Sequence, residues 1–222
     1  MKRQKLSLLA SLAAAFTAVV WSVPASAADI VFSDLGPGNT YQGNIGYTLG
    51  NGIEQAMAFT PSSNFTLTQI DVEIGIVPLS GINSVMLSLE GASGGLPDGT
   101  IESWTLIDLP EFGSTSNTVQ TVNPAKPVSL VSGTEYWLVA SASNFEGAWN
   151  LNSSGSTGPV AIKRGSSGWF LSGSALTQGA FAVLGQPVGV GVPEPATLGL
   201  MVLGLLGAGF SARRVRWPQK IS

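Results

Sequence analysis

The stretch Phe65-Thr-Leu-Thr-Gln-Ile-Asp-Val-Glu-Ile-Gly-Ile76 decides the fold, because its apolar side chains recur at every second position. A period of two is typical of a β-strand with one buried face and one solvated face. Such a strand is stable only when its apolar face packs against a second layer. The inward set is Ile70, Val72, Ile74 and Ile76, and the expected outward set is Gln69, Asp71 and Glu73.

The same patterning extends in both directions and predicts an all-β protein. Residues 85–90 alternate, with Val85, Leu87 and Leu89 inward, and the denser apolar run 135–140 indicates a central strand. Gly-rich turns at 94–99 and 150–158 favour a single β-sandwich ectodomain over residues 28–186, with a jelly-roll topology as one form of it. Further candidate strands are 56–60, 101–109, 160–163, 169–171 and 181–184.

The charge of this central region excludes one class of partner. The chain has 222 residues with no Cys and no His, and residues 29–192 hold twelve acidic and three basic side chains, a net charge of −9. Such a field repels nucleic acid and favours solubility. Because the chain has no Cys, packing rather than disulfides must hold the domain together.

The first 27 residues have the three parts of a secretory signal peptide. Lys2, Arg3 and Lys5 precede an apolar run, which ends in the small-residue site Ala25-Ser26-Ala27. We therefore predict export through the general secretion machinery and removal of this segment by signal peptidase, so that the mature chain starts at Ala28 or Asp29.

The C-terminal region is equally segmented. A Gly/Val linker at 187–191 precedes Val192-Pro193-Glu194-Pro195, an uncharged apolar segment at 196–212 and a basic tail at 213–222 that begins with Arg213-Arg214. The prolines keep the first segment extended. The apolar segment is long enough to span a bilayer, and the arginines after it mark the cytoplasmic side.

This order of elements resembles the PEP-CTERM sorting signal of exported Gram-negative proteins. The resemblance implies an exosortase as partner, an inner-membrane precursor and processing near Val192-Pro193-Glu194-Pro195. It also implies that Glu194 supplies the recognised charge and that Arg213 and Arg214 stop transfer. The expected destination is the cell surface or an exopolysaccharide matrix, as in a biofilm.

The strand order 56–60, 65–76, 85–90 and 135–137 resembles the choice-of-anchor class of ectodomains, which implies no activity. Catalytic options are few, because a chain without His and Cys builds neither a Ser-His-Asp triad nor a zinc site on those residues. Asp71 and Glu73 are a carboxylate pair of the kind that a glycosidase needs. Their place on the outward face of one strand favours a solvated surface instead, so we predict no enzymatic activity.

Two tryptophans suggest an alternative role as a carbohydrate-binding module. Trp149 and Trp169 lie beside Gly- and Ser-rich turns, where their rings could be exposed and stack on sugars, whereas Trp137 lies in a dense apolar run and is expected in the core. No cofactor is expected. A structural calcium ion suits the acidic composition but is not predicted, because no contiguous calcium-binding loop occurs.

Overall fold

The computed structural model describes residues 28–77, 81–114, 119–144 and 146–189. The predicted signal peptide, the apolar segment 196–212 and the basic tail lie outside these ranges, as do the last two residues of the linker. The described part contains strands and no helix, which confirms the all-β prediction. The strands are β1 Asp29–Ser33, β2 Tyr41–Gly50, β3 Ile53–Phe59, β4 Phe65–Val72, β5 Ile74–Ile76, β6 Ser84–Ser93, β7 Leu96–Ile107, β8 Gln120–Val122, β9 Ser129–Leu130, β10 Tyr136–Ser141, β11 Glu146–Asn152, β12 Thr157–Arg164, β13 Phe170–Thr177 and β14 Phe181–Pro187.

The strands form two sheets. The smaller sheet has the order β1-β14-β4-β8, with β9 also paired to β4. The larger sheet has the order β5-β11-β2-β3-β10-β6-β7, and β12 joins it through β3 and carries β13 at its edge. Strand β10 pairs with β3 and β6, so the prediction of a central strand at 135–140 is confirmed.

The main core lies between the sheets. Val85, Leu87 and Leu89 of the larger sheet are fully buried, as predicted, and they belong to one apolar cluster with Ile70 and Val72 of the smaller sheet. Two apolar faces packed on each other in this way make a β-sandwich. Jelly-roll connectivity remains a prediction.

A second, smaller apolar cluster covers the other face of the larger sheet. Ala56 and Ala58 of β3 lie beside Trp137 of β10, and Trp169 packs against this group. The register pairs Trp137 with Ala58, so the small alanine side chains leave room for the indole ring. Trp137 is fully buried, as the sequence predicted.

Candidate functional site

The predicted sorting and cleavage residues lie outside the described ranges. These are Ala25, Ala27, Val192, Pro193, Glu194, Pro195, Arg213 and Arg214.

The prediction that Trp149 is exposed is wrong. Its side chain is 0% exposed, because the residue belongs to β11, a strand that the sequence pattern did not reveal. The indole Nε1 donates to the Ala180 carbonyl at 3.1 Å, and the ring packs edge-on against Phe181 at 6.1 Å between centroids. Gly179 lies so close that a Cβ there would be 2.5 Å from the Trp149 ring.

Trp169 is half-buried and lies on the outer apolar cluster of the larger sheet. The Lys163 ammonium lies 5.9 Å from its ring centroid and also forms an ion pair with Glu54 at 2.9 Å. The ring is thus engaged by Lys163 and by the cluster beneath it. Of the two tryptophans predicted to bind sugar, only this one keeps partial exposure.

The predicted carboxylate pair is also placed differently from expectation. The stretch 65–76 is not one strand: β4 ends at Val72 in the smaller sheet, and β5 begins at Ile74 in the larger sheet. Glu73 stands at the crossing, where its N–H donates to the Ala180 carbonyl and its carbonyl accepts from the Asn150 N–H. Asp71 is 7% exposed and Glu73 is 0% exposed, so the expected solvated face is wrong.

The two acids differ in how their charge is accommodated. Asp71 accepts hydrogen bonds from Gln69 and from the Thr121 hydroxyl. Burial raises the pKa of Glu73 from an ordinary value of 4.5 to about 8, and an interaction with Tyr41 lowers it in part. The Glu73 carboxyl is therefore mostly protonated at neutral pH.

A third buried acid, Asp34, is one that the sequence analysis did not identify. Its Oδ1 accepts from the Phe181 N–H at 2.7 Å, and its Oδ2 accepts from Asn152 Nδ2 at 3.4 Å. Burial raises the pKa of Asp34 to about 7, although these hydrogen bonds lower it. Asn152 also donates to the Gln178 carbonyl at 2.9 Å, so this polar cluster ties β1, β11 and β14 together.

A groove opens where β2 separates from β3. The two strands pair only at Gly50 and Ile53, and beyond that point the Gln55 amide donates to the Thr48 carbonyl at 3.0 Å. At Gln55 both edges of β3 are paired, with β10 and with β12, so a side chain rather than a backbone ladder connects β3 to β2 there. The groove has a volume of about 390 Å³ and is lined by Gly46, Tyr47, Thr48, Ile53, Gln55, Ile162, Arg164 and Ser172.

The groove offers both donors and acceptors to a ligand. Gln55 is 3% exposed, and its Oε1 has no hydrogen-bond partner among the described residues. Arg164 is exposed and is one of three basic residues between residues 29 and 192. Tyr47 donates its hydroxyl to the Thr177 carbonyl at 2.7 Å, and burial raises its pKa. Sequence patterning does not indicate this site, because β2 lacks an alternating pattern.

Residues 28–77, 81–114, 119–144 and 146–189 contain no group of three acidic side chains placed to hold a metal ion. The same ranges contain no helix that is long and apolar enough to cross a membrane.

The fold defines the class of the central region as an acidic β-sandwich domain. Residues 191–215 match the PEP-CTERM protein-sorting motif, in agreement with the resemblance seen in the sequence. No curated protein matches the chain. The motif makes the chain an exported protein that is targeted to an exosortase, with a membrane-anchored precursor.

Proposed function

We propose that exosortase processing transfers the β-sandwich from the inner membrane of a Gram-negative cell to the cell surface or the surrounding matrix. There the domain acts as a structural or adhesive component of an exopolysaccharide biofilm. The observation that carries this proposal is the sorting motif at residues 191–215, directly after an acidic domain made of strands.

Processing is proposed to depend on the Pro-Glu-Pro segment. Pro193 and Pro195 hold the backbone extended for the exosortase, and Glu194 supplies the recognised charge. Glu194→Ala should reduce the mature form at least tenfold on an immunoblot of the producing cells. Asp98→Ala, which removes an exposed acid of the sandwich, is the matched control and should mature normally. Unchanged maturation of Glu194→Ala would contradict the proposed role of Glu194 in recognition.

The two arginines are proposed to stop transfer of the chain through the membrane. Replacing both Arg213 and Arg214 with Gln should reduce retention of the precursor in the inner membrane, because the positive charges fix the cytoplasmic end. The measurement is protease accessibility of the C-terminus in spheroplasts. A C-terminus as protected as that of the native chain would contradict this role.

We propose further that the sandwich works without catalysis. In support, the Glu73 carboxyl is fully buried, whereas a glycosidase needs two carboxyl groups on either side of a bound sugar. The alternative, a carboxylate glycosidase, predicts that the chain releases reducing sugar from the polysaccharide and that Glu73→Gln abolishes this release. We expect no release from either form.

Carbohydrate recognition is the second candidate function, and the groove beside Gln55 favours it. Sugar oxygens can accept from the exposed Arg164 and Ser172 side chains, whereas Gln55 Oε1 is buried. This site differs from the one expected from the tryptophans, because Trp149 is in the core. The groove volume of about 390 Å³ is within the range of small-ligand sites.

The two neighbouring cations of β12 provide a matched test of that candidate. Arg164 lines the groove, whereas Lys163 pairs with Glu54 on the opposite face of the strand. Arg164→Gln should weaken retention of the protein in a gel containing the host exopolysaccharide at least fivefold, and Lys163→Gln should change it less than twofold. Equal effects of the two substitutions, or none, would remove the groove from consideration.

A further inference from the structure

Strand β13, Phe170–Thr177, forms an edge of the larger sheet. Within the described ranges it pairs with β12 alone. Among the described residues, the single hydrogen bond to its backbone from outside that ladder is the one from the Tyr47 hydroxyl to the Thr177 carbonyl. The outer row of N–H and C=O groups therefore faces solvent. Such a row is a template for pairing with another strand.

The side chains of β13 are exposed on both faces of the sheet. Phe170 is 68% exposed, Leu171 is 39% exposed and Leu176 is 36% exposed. An unpartnered strand that displays large apolar side chains is a typical interaction surface. Burial of these three side chains would favour association at this edge.

Strand β13 lacks two of the devices that normally protect an edge, charge and Pro, although two register shifts interrupt its pairing with β12. Charged residues and Pro on an edge strand prevent unwanted pairing, but the sequence from Gly165 to Gly185 contains neither. The edge strand β7 carries Asp98 and Glu102, and the edge strand β1 carries Asp29. Among the edge strands in the described ranges, β13 is thus a long strand that has no charged side chain.

The charge of the domain indicates where two copies could meet. With a net charge of −9 between residues 29 and 192, two domains repel each other over most of their surfaces. That repulsion is weakest along an uncharged edge. An antiparallel pair of identical strands is also self-complementary, so a two-fold dimer is the closed assembly that this edge can form.

We propose that β13 pairs antiparallel with β13 of a second copy, which joins the two larger sheets into one continuous sheet. The outer N–H and C=O groups of each β13 strand form hydrogen bonds with those of the second copy, and Phe170, Leu171 and Leu176 become buried in the interface. This interaction goes beyond sorting, and it would link domains to one another once they have reached the cell surface.

Single-cysteine crosslinking in the full chain tests the pairing, because the native chain contains no Cys. Ser172→Cys and Ser174→Cys lie in the middle of β13, near the proposed two-fold axis, and both positions are exposed. At least one of them, the one closer to the axis, should give a disulfide-linked dimer on a non-reducing gel of the producing cells, at least fivefold above Ser103→Cys, because a residue near the axis lies opposite its own copy. Ser103 is the matched control, since it is exposed on the charged edge strand β7.

A second substitution distinguishes specific pairing of the two β13 strands from crosslinking by random collision of two molecules. Ser174→Lys in the Ser172→Cys background places like charges beside each other in the interface and should reduce the dimer at least fivefold. Ser103→Lys in the same background should leave the dimer unchanged, and circular dichroism checks that both variants are folded. Equal crosslinking at Ser172, Ser174 and Ser103, no dimer at all, or a crosslink to a different protein would each overturn the proposal.

Discussion

Glu73 is a buried acid whose protonation affects the stability of the whole sandwich. Its backbone bonds to both Ala180 and Asn150 at the place where the chain changes sheet, and its side chain is fully buried there. The carboxyl group is accommodated by remaining protonated, as the pKa of about 8 indicates. Asp34 lies on the other side of β14, and burial raises the pKa of its carboxyl group to about 7. Its protonation therefore adds to the dependence of stability on pH.

The pH dependence of stability follows from the Glu73 pKa. The folded state holds the proton more tightly than the unfolded chain, whose carboxyl has a pKa near 4.5. The stabilising effect is therefore complete below about pH 4.5 and is lost as the pH rises towards 8. Glu73→Gln should be more stable than the native protein at pH 8.5 and about equal to it at pH 5, as measured by denaturant unfolding.

Exposed acids provide the control for that experiment. Asp98→Asn removes one charge from the surface, so it reports the general effect of the net negative charge. It should keep the native slope of stability against pH. If the stability of Glu73→Gln changed with pH as steeply as that of the native protein, Glu73 would not be the source of the pH dependence.

The two tryptophans that looked alike in sequence should differ in their energetic effect. Trp149→Ala leaves a cavity in the core and removes one of the two hydrogen bonds that the Ala180 carbonyl accepts, and should cost about 3–5 kcal/mol of unfolding free energy. Trp169→Ala, which trims a half-buried ring on the outer cluster, should cost less than half as much. Chemical denaturation of the two variants measures the difference. Equal losses would show that Trp169 is as deeply packed as Trp149.

At the level of elements, alternation predicted the strands that have one clear inward face. The runs at 85–90 and 135–140 appear as β6 and β10, because every second residue in them is apolar and faces the core. The turn predicted at 94–99 is in fact shorter, since Gly94-Gly95 alone joins β6 to β7. Likewise the turn predicted at 150–158 begins only after Asn152, where β11 ends.

Alternation of apolar and polar residues could not predict strand β2 or the groove beside it. Its sequence, YQGNIGYTLG, has no alternation, and its place is fixed instead by close pairing with β11. The crossing at Glu73 was missed for a related reason: apolar residues on both sides continue the period of two, although the chain changes sheet. Tertiary contacts decide such places, and they leave no local pattern.

The close pairing of β2 with β11 gives a test at the level of the element. A Cβ on Gly46 would lie 2.4 Å from the Trp149 carbonyl oxygen, whereas one on Gly43 would have no contact closer than 3.4 Å. Gly46→Ala should therefore cost about 1–3 kcal/mol of stability, and Gly43→Ala should change it by less than about 0.5 kcal/mol. Equal denaturation midpoints of the two variants would show that β2 does not depend on this contact.

For the whole molecule, the charge distribution separates the sandwich from the sorting region. The acidic side chains belong almost entirely to the central region, whereas seven of the ten basic residues lie in the first five and the last ten positions. This separation suits a chain whose two ends are handled by the export and sorting machinery while the middle stays soluble outside the membrane.

The most direct test of the sorting account is the intact mass and cell fraction of the protein in a host with a working exosortase and in the same host without it. We predict a shortened chain, ending near residues 192–195, outside the inner membrane when the enzyme is present. Without the enzyme, the chain should keep its C-terminal region and remain in the inner membrane. The same full-length C-terminus in the inner membrane of both hosts would contradict the account.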